Sequence, residues 1–201
     1  MRVRDLMVEN PITIGPDAAI SDALELLKSR RIRHLPVVDA AGALCGLLTL
    51  ADLKEGLLPS MVSDVALPDL IIPNPVTVGP DDSVETAARR IYHHKISGMP
   101  VVADGRLVGI LTETDILRTF IQMMGLLAGG ARVVVALNDG VEALPRLIRT
   151  VQEAGGEITG LSLSEEASGE RVCHLRLASC RTATIAEALG AAGFPVRDAT
   201  D

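Results

Sequence analysis

The spacing of apolar residues along the chain changes in a regular order that predicts alternating strands and helices. Residues 12–14 alternate apolar and polar side chains, as in a short strand, and residues 20–27 carry apolar side chains at helical spacing. The apolar runs 35–38 and 44–48 flank an Asp/Gly turn, which is typical of a hairpin. A short helix is predicted at 52–58, so this region is expected to form strand, helix, strand, strand and helix.

The same order returns further along the chain, which indicates an internal repeat. Residues 10–17 read Asn-Pro-Ile-Thr-Ile-Gly-Pro-Asp, and residues 74–81 read Asn-Pro-Val-Thr-Val-Gly-Pro-Asp. The hairpin turn is one residue shorter in the second copy, after which residues 46–52 match 109–115. Both copies end in Gly-x-x-Thr-x-x-Asp. Because there are two copies and not a longer array, we expect a pseudo-twofold pair.

A third segment with a different pattern follows a predicted hinge at Gly129-Gly130. Its predicted elements are a strand at 133–137, a helix at 141–151, strands at 158–163 and 172–177, a helix at 182–192 and a strand at 194–197. This order is βαββαβ. The whole chain is therefore predicted to be an α/β (α+β) protein.

Composition and charge narrow the classes of partner. The chain has 201 residues, a formal net charge of −7 and only 1% aromatic residues. It lacks the basic face and the stacking rings that nucleic-acid binding needs, so we expect no nucleic-acid partner. The N-terminus does not resemble a signal peptide, and the most apolar stretch, 120–127, is too short to span a bilayer. The three cysteines show no paired or metal-like spacing. We expect a cytoplasmic protein with no membrane partner.

The two Thr-x-x-Asp motifs support two interpretations. As capping boxes, Thr49 with Asp52 and Thr112 with Asp115 would only close the start of a helix. As a ligand site, the helix start and the Thr hydroxyl would hold a phosphate, and the carboxylate would accept both hydroxyls of a ribose. The chain contains no recognisable nucleophile motif and no metal cluster, so we predict that it is not an enzyme and has no catalytic residue and no metal site.

The repeated motifs over residues 1–125 resemble a tandem pair of CBS domains, the Bateman module. The resemblance implies CBS domains at 1–62 and 63–125, and clefts between them that bind AMP, ADP, ATP or S-adenosylmethionine. The segment 131–201 resembles an ACT domain, a ferredoxin-like module that often pairs edge to edge and binds amino acids. The order of the three domains resembles the AcuB proteins associated with acetoin utilisation.

The resemblance also implies that each cleft draws residues from both repeats. One cleft would combine Thr112 and Asp115 with Asn10, Ile12, Ile32 and Arg33. The other would combine Thr49 and Asp52 with Asn74, Val76, Ile96 and Ser97. Arg33 is a charged donor whereas Ser97, at the matching position, is not, so we expect the phosphorylated ligand at the Asp115 cleft. His34 is expected to face the cleft beside Arg33.

Together these expectations describe a regulatory protein that senses an adenine nucleotide and relays its binding to an ACT-like dimerisation domain, and through it to a downstream protein. Amino-acid binding by the third segment is less well supported, because Glu142-Ala143 stand where ACT domains usually carry glycine. The alternative function is a ligand-free assembly module, in which both Thr-x-x-Asp motifs only cap helices.

Overall fold

A computed structural model describes residues 1–57, 66–124, 130–178 and 180–201 of the chain. It consists of two compact units, Met1–Leu117 and Arg118–Asp201. In the described ranges no helix is long and apolar enough to cross a membrane. The predicted helix end at Leu58, the predicted domain borders at 62 and 125, and Gly129 lie outside the described residues.

The first unit contains both repeats. In chain order its elements are β1 (Val8–Glu9), α1 (Ile20–Ser29), β2 (His34–Val38), β3 (Leu44–Thr49), α2 (Leu50–Leu57), α3 (Leu67–Leu70), β4 (Ile72–Pro73), α4 (Val84–His94), β5 (Gly98–Ala103), β6 (Arg106–Thr112) and the beginning of α5 (Glu113–Met123), which continues past Leu117 into the second unit. This confirms the predicted mixed α/β fold. The predicted strand at 12–14 is reduced to one bridge, in which Ile14 runs parallel to Val37. Pro11 and Pro16 flank this bridge and have no backbone N–H to donate to a longer ladder.

Each repeat packs one face of its first helix against its hairpin. In the first repeat Ala23 and Leu27 lie one turn apart on α1, and both are buried in one cluster with Leu35 and Leu48. Their spacing puts them on the same side of the helix. The second repeat forms a corresponding cluster around Ala87 and Ile91 of α4.

The segments that precede the two repeats are exchanged between them. Strand β1, at the start of the chain, pairs with β6 of the second repeat, and β4 pairs with β3 of the first repeat. Val3 is completely buried in the core of the second repeat, whereas Leu67 is buried in the core of the first. The sheet orders are therefore β1-β6-β5 and β2-β3-β4. Each repeat is completed by a segment that belongs, in sequence, to the other.

Two contacts between equivalent positions lie on the pseudo-twofold axis of this unit. His34 is equivalent to Gly98, and a Cβ atom built on Gly98 would lie 3.1 Å from the His34 ring. Ala43 is equivalent to Arg106, and these two residues form an antiparallel bridge. Since both contacts join a position to its own counterpart, they mark the axis directly and agree with the predicted pseudo-twofold pair.

The second unit has the predicted βαββαβ order. Its elements are β7 (Ala131–Ala136), α6 (Leu144–Glu153), β8 (Ile158–Glu165), β9 (Arg171–Leu177), α7 (Thr182–Ala191) and β10 (Val196–Thr200). The antiparallel sheet has the order β10-β7-β9-β8. Helices α6 and α7 bury Leu147 and Ile185 against one face of the sheet. Phe194, predicted to lie in the last strand, is a buried core residue that precedes it.

Candidate functional site

Both Thr-x-x-Asp motifs lie where a hairpin strand gives way to a helix. Thr112 ends β6, and its backbone N–H donates to Asp115 Oδ2 at 3.0 Å. The Thr112 hydroxyl donates to the same oxygen at 2.5 Å, and the Asp115 N–H donates to Thr112 Oγ1 at 3.4 Å. Two of these contacts recur in the other motif. The Thr49 hydroxyl donates to Asp52 Oδ2, and the Asp52 N–H donates to Thr49 Oγ1 at 3.2 Å. Thr112 and Asp115 therefore form a reciprocal capping box, and Thr49 and Asp52 form the part of it that involves the Thr hydroxyl.

Thr49 also explains where α2 begins. The sequence predicts a helix from Asp52, whereas α2 begins at Leu50, immediately after Thr49. Because the Thr49 hydroxyl oxygen accepts the Asp52 N–H, the helix can begin directly behind it.

The exchanged strands bring an asparagine of each repeat to the strand that carries the other repeat's motif. Glu9 of β1 pairs with Gly109 of β6, and Asn10 follows directly. Pro73 of β4 pairs with Gly46 of β3, and Asn74 follows. Both asparagines have left-handed backbone conformations, with φ of 47° and 49°. This residue type tolerates that conformation, and it turns the chain away from the strand.

The four apolar residues expected in the clefts, Ile12, Ile32, Val76 and Ile96, are all partly exposed. Ile12 and Ile32 pack at the border of the first core, and Ile96 packs at the border of the second. The side chains of these three isoleucines thus contact a core and remain partly exposed.

Arg33 and Ser97 have equivalent backbone contacts but different side-chain roles. The Arg33 carbonyl accepts from the N–H of Leu50, and the Ser97 carbonyl accepts from the N–H of Glu113, so each lies at the start of the last helix of its own repeat. The Arg33 residue is exposed. The Ser97 hydroxyl instead lies 2.8 Å from His34 Nε2, across the two repeats.

His34 is buried between the repeats, although the sequence led us to expect it beside Arg33 at a cleft. Only 7% of His34 is exposed, its ring packs on Gly98, and its partner is the Ser97 hydroxyl. In the hairpin register it pairs with Thr49. The sequence feature that could have indicated this burial is Gly98, the residue equivalent to His34. A histidine ring fits on the pseudo-twofold axis only if the equivalent residue of the other repeat is small.

Burial lowers the pKa of His34, and the positive charge of Arg33 lowers it further. The negative charge of Asp52 raises this pKa by a smaller amount. The folded protein therefore holds His34 neutral where the unfolded chain, with an ordinary pKa of 6.5, already binds a proton. Unfolding takes up a proton in this range, so stability is fully present above pH 6.5 and falls as the pH drops below it.

We predict that His34→Gln, which keeps a hydrogen-bonding group but cannot titrate, flattens this dependence. The measurement is urea unfolding of the two proteins between about pH 7.5 and pH 5.5, the range in which an ordinary histidine titrates. The exposed residue His93 provides the control, since His93→Gln should leave the slope as in the wild type. An unchanged slope in His34→Gln would contradict the assignment.

The glycine of each Gly-x-x-Thr-x-x-Asp motif accommodates an exchanged strand. A glycine at these positions, Gly46 and Gly109, could admit either a ligand or a neighbouring strand. A Cβ on Gly46 would lie 2.2 Å from Ile71 Cγ2 and 2.9 Å from the Ile72 carbonyl oxygen. On Gly109 it would meet the flexible Met7 side chain, with the sulfur at 2.6 Å. The close approach is therefore made by the strands themselves.

We predict that Gly46→Ala destabilises the protein by about 1–3 kcal/mol, the usual cost of overpacking. Gly109→Ala is the matched control and should cost less, because its shortest contact would be with the Met7 side chain, which can change rotamer. The backbone carbonyl oxygen that it would meet, that of Val8, is also further away, at 3.1 Å against 2.9 Å for Ile72 at Gly46. Chemical unfolding of both variants measures the difference. Equal losses would show that the rotamer freedom of Met7 does not lower the cost at Gly109.

These observations define two candidate clefts, each with a helix start, a Thr hydroxyl and a carboxylate. Among the described residues, no group of three or more His, Cys, Asp or Glu side chains could hold a metal ion. The groups present can donate to a phosphate, accept from hydroxyls and contact an apolar ring. They match the chemistry of a nucleotide more closely than that of a metal ion.

Known proteins are similar to this chain over part of its length. MJ1225 of Methanocaldococcus jannaschii, an uncharacterized protein, is 32% identical over 123 residues, which is 61% of this chain and 42% of that protein. The L-aspartate semialdehyde sulfurtransferase of the same organism is 34% identical over 119 residues, which is 59% of this chain and 23% of the enzyme. The chain thus spans less than half the length of these relatives.

Solved structures of two similar CBS pairs carry adenosyl ligands. The CBS domain pair of MJ0100, in complex with 5-methylthioadenosine and S-adenosyl-L-methionine, is 34% identical with a TM-score of 0.56, and the match covers 60% of this chain and 95% of that one. CBSX2, a CBS-pair protein from Arabidopsis thaliana, was solved with AMP and is 34% identical with a TM-score of 0.54, covering 60% and 96%. A Vibrio cholerae protein assigned to acetoin utilization (AcuB) is 30% identical with a TM-score of 0.56, covering 63% and 95%.

The CBS domain itself matches twice, at residues 3–59 and 62–122. The two matches coincide with the two repeats and together cover more than half of the chain. The chain belongs to the CBS domain family.

Proposed function

We propose that this protein is a regulatory sensor that binds an adenosyl ligand, either an adenine nucleotide or S-adenosylmethionine, in the clefts between its two CBS domains. The observation that carries the proposal is the exchange of β1 and β4, which brings Asn10 beside the strand of Thr112 and Asn74 beside the strand of Thr49. Similar CBS pairs were solved with AMP, S-adenosylmethionine and 5-methylthioadenosine. The proposal assigns no catalytic step to the chain.

The chemistry of each cleft suits the parts of an adenosyl ligand. The start of α5 concentrates backbone N–H groups and the positive end of the helix dipole, and Thr112 adds a hydroxyl donor. In the proposed complex, the Asp115 carboxylate accepts hydrogen bonds from the ribose hydroxyls. Ile12 and Ile32 contact the adenine ring. The second cleft uses Thr49 and Asp52 in the same way, with Val76 and Ile96 as its apolar walls.

The pseudo-twofold axis supports assigning Arg33 to the Thr112 cleft. Ser97 reaches His34, which pairs with Thr49. The twofold relation exchanges Ser97 with Arg33, His34 with Gly98, and Thr49 with Thr112. Gly98 pairs with Thr112 in the hairpin of the second repeat, as His34 pairs with Thr49 in the first. In the proposed site, Arg33 extends toward the Thr112 cleft past a glycine and neutralises a phosphate there. We therefore propose that phosphorylated ligands prefer the cleft of Thr112 and Asp115.

The test is thermal unfolding of the protein with AMP, ADP, ATP, S-adenosylmethionine and, as a comparison without a purine, inorganic phosphate. A ligand present at about 100 times its dissociation constant adds about 2.7 kcal/mol to the free energy of unfolding. We expect at least one adenosyl compound to raise the melting temperature more than phosphate does. Equal melting temperatures with every compound would overturn the sensor function and favour the ligand-free assembly module.

We further propose that the second unit joins two copies of the chain through β8 and that ligand binding is relayed to this dimer, and from it to a downstream protein in the cytoplasm. Strand β8 is an edge of its sheet, and Leu161 and Leu163 on it are 39% and 44% exposed. An edge strand of eight residues with exposed leucines invites pairing with another strand, and pairing with a second copy satisfies its outer backbone groups. The resemblance of this unit to ACT domains favours the same edge-to-edge role.

A charged side chain on this edge should prevent the dimer from forming. We predict that Leu163→Lys is monomeric in sedimentation experiments at concentrations where the wild type is dimeric. Val141 is equally exposed, at 44%, but lies outside the sheet, so Val141→Lys is the matched control and should remain dimeric. A monomeric wild type, or loss of the dimer in both variants, would count against pairing through β8.

A further inference from the structure

The second unit has a sheet face that α6 and α7 do not cover. Side chains alternate along each strand, and those of Val133 and Leu175 point to the buried core under the helices. The opposite face, which we call the open face, carries Arg132 of β7, His174 and Arg176 of β9 and Ser162 of β8, beside Val134 and Val172, which are buried. A cavity of about 90 Å³ on this face is lined by Met124, Arg132, Gly160, Ser162, His174 and Arg176.

The open face carries positive charge that the fold does not balance. Arg132 and Arg176 are directly opposite each other in the β7–β9 register, and like charges in such a pair destabilise a sheet. Arg132 forms an ion pair with Asp198 on β10. Over the described ranges, no carboxylate lies within ion-pair distance of Arg176, although the chain as a whole has a net charge of −7.

The neighbours of Arg176 leave its guanidinium group available to a ligand. Gly160 is opposite Arg176 on β8 and has no side chain to cover it. The Met124 carbonyl oxygen approaches Gly160, at 3.5 Å from the position of a Cβ atom, but no hydrogen bond joins Arg176 to it in the described part of the chain. His174, on the same strand, is oriented by a 2.8 Å contact between its Nε2 atom and the Ser164 hydroxyl.

We propose that the open face binds a small oxyanion, a phosphoryl or carboxylate group, held by Arg176 together with His174 and Ser162. The planar guanidinium offers two parallel N–H donors to such a group, and a hydroxyl adds another. An anion between Arg132 and Arg176 also relieves their mutual repulsion. The cavity of about 90 Å³ has a volume on the order of three water molecules in the liquid, which suits one oxyanion group.

This site is separate from the CBS clefts and needs its own readout. The experiment titrates the isotopically labelled full chain with inorganic phosphate and, in a second series, with acetate, each against sodium chloride at equal ionic strength. Backbone amide signals of Gly160, Ser162 and Arg176 report binding at the open face, independently of any nucleotide bound in the first unit. A response to phosphate alone assigns a phosphoryl ligand, and a response to acetate alone assigns a carboxylate.

The variants separate a built site from general attraction to positive charge. We expect Arg176→Gln to weaken binding by about tenfold or more, since it removes a charge-assisted hydrogen-bonding group. Arg149→Gln removes the same charge from an exposed position on α6 and should change binding by less than about twofold, as expected for a screened distant charge. Equal weakening by both variants, or no saturable shift of the three amides with either anion, would overturn the proposal.

Discussion

Val3→Asp is expected to destabilise the first unit by about 3–5 kcal/mol, the cost of leaving an uncompensated charge in a protein core. Val3 is completely buried in the core of the second repeat, in the same cluster as Val78 and Met99. Its neighbours Arg2 and Arg4 both pair with Asp81 and hold the segment in place. Domains are stable by only about 5–15 kcal/mol, so this one substitution should remove a large part of the total.

Val8→Asp is the matched control for this prediction. Val8 lies in the same N-terminal segment, on β1, but is 51% exposed, so a carboxylate there stays in water. We expect a loss within about 1 kcal/mol, as for most exposed positions away from special features. Urea unfolding of both variants gives the comparison. Similar losses in the two would mean that the N-terminal segment is not part of the second core.

The secondary structure of both units could be predicted from the sequence because it follows from local spacing. Residues 20–27 place their apolar side chains on one side of a helix, and residues 35–38 and 44–48 flank a turn of residues that favour hairpins. The exchange of β1 and β4 could not be predicted in this way. Both strands are two residues long, which is too short to show alternation, and Val8 pairs with Ile110, far along the chain.

The internal repeat nevertheless includes the two segments that are exchanged. Val3 and Leu67 are separated by the same number of residues along the chain as Asn10 and Asn74. The internal similarity therefore extends further toward the N-terminus than residue 10. This equivalence predicts that both residues have the same structural role, as core residues. It does not predict which core each enters, because that depends on three-dimensional contacts between the repeats.

The candidate site could be predicted less completely, for a physical reason that the axis makes clear. The Thr-x-x-Asp motifs are local, and their capping geometry follows directly from the sequence. His34, by contrast, is buried because the axis places it against Gly98 and Ser97 of the other repeat. A polar residue at such a position looks like a surface residue until its partner is known.

Asp115→Ala is expected to abolish the stabilisation by an adenosyl ligand, about 2.7 kcal/mol at 100 times the dissociation constant. It should also cost about 1 kcal/mol without ligand, because Asp115 accepts hydrogen bonds from the Thr112 N–H and hydroxyl at the start of α5. The ligand must compete with these internal bonds for the carboxylate. Asp52→Ala is the control: it removes the equivalent capping residue but leaves the cleft that we assign to phosphorylated ligands.

The two aspartate variants separate capping from binding. If both motifs only cap helices, each variant loses about the same stability and neither changes the response to nucleotide, since N-cap losses are alike at about 1 kcal/mol. If Asp115 holds the ribose, its variant alone loses most of the ligand-induced rise in melting temperature, while Asp52→Ala keeps most of it. A full response in Asp115→Ala would remove this carboxylate from the nucleotide site and leave it a capping residue.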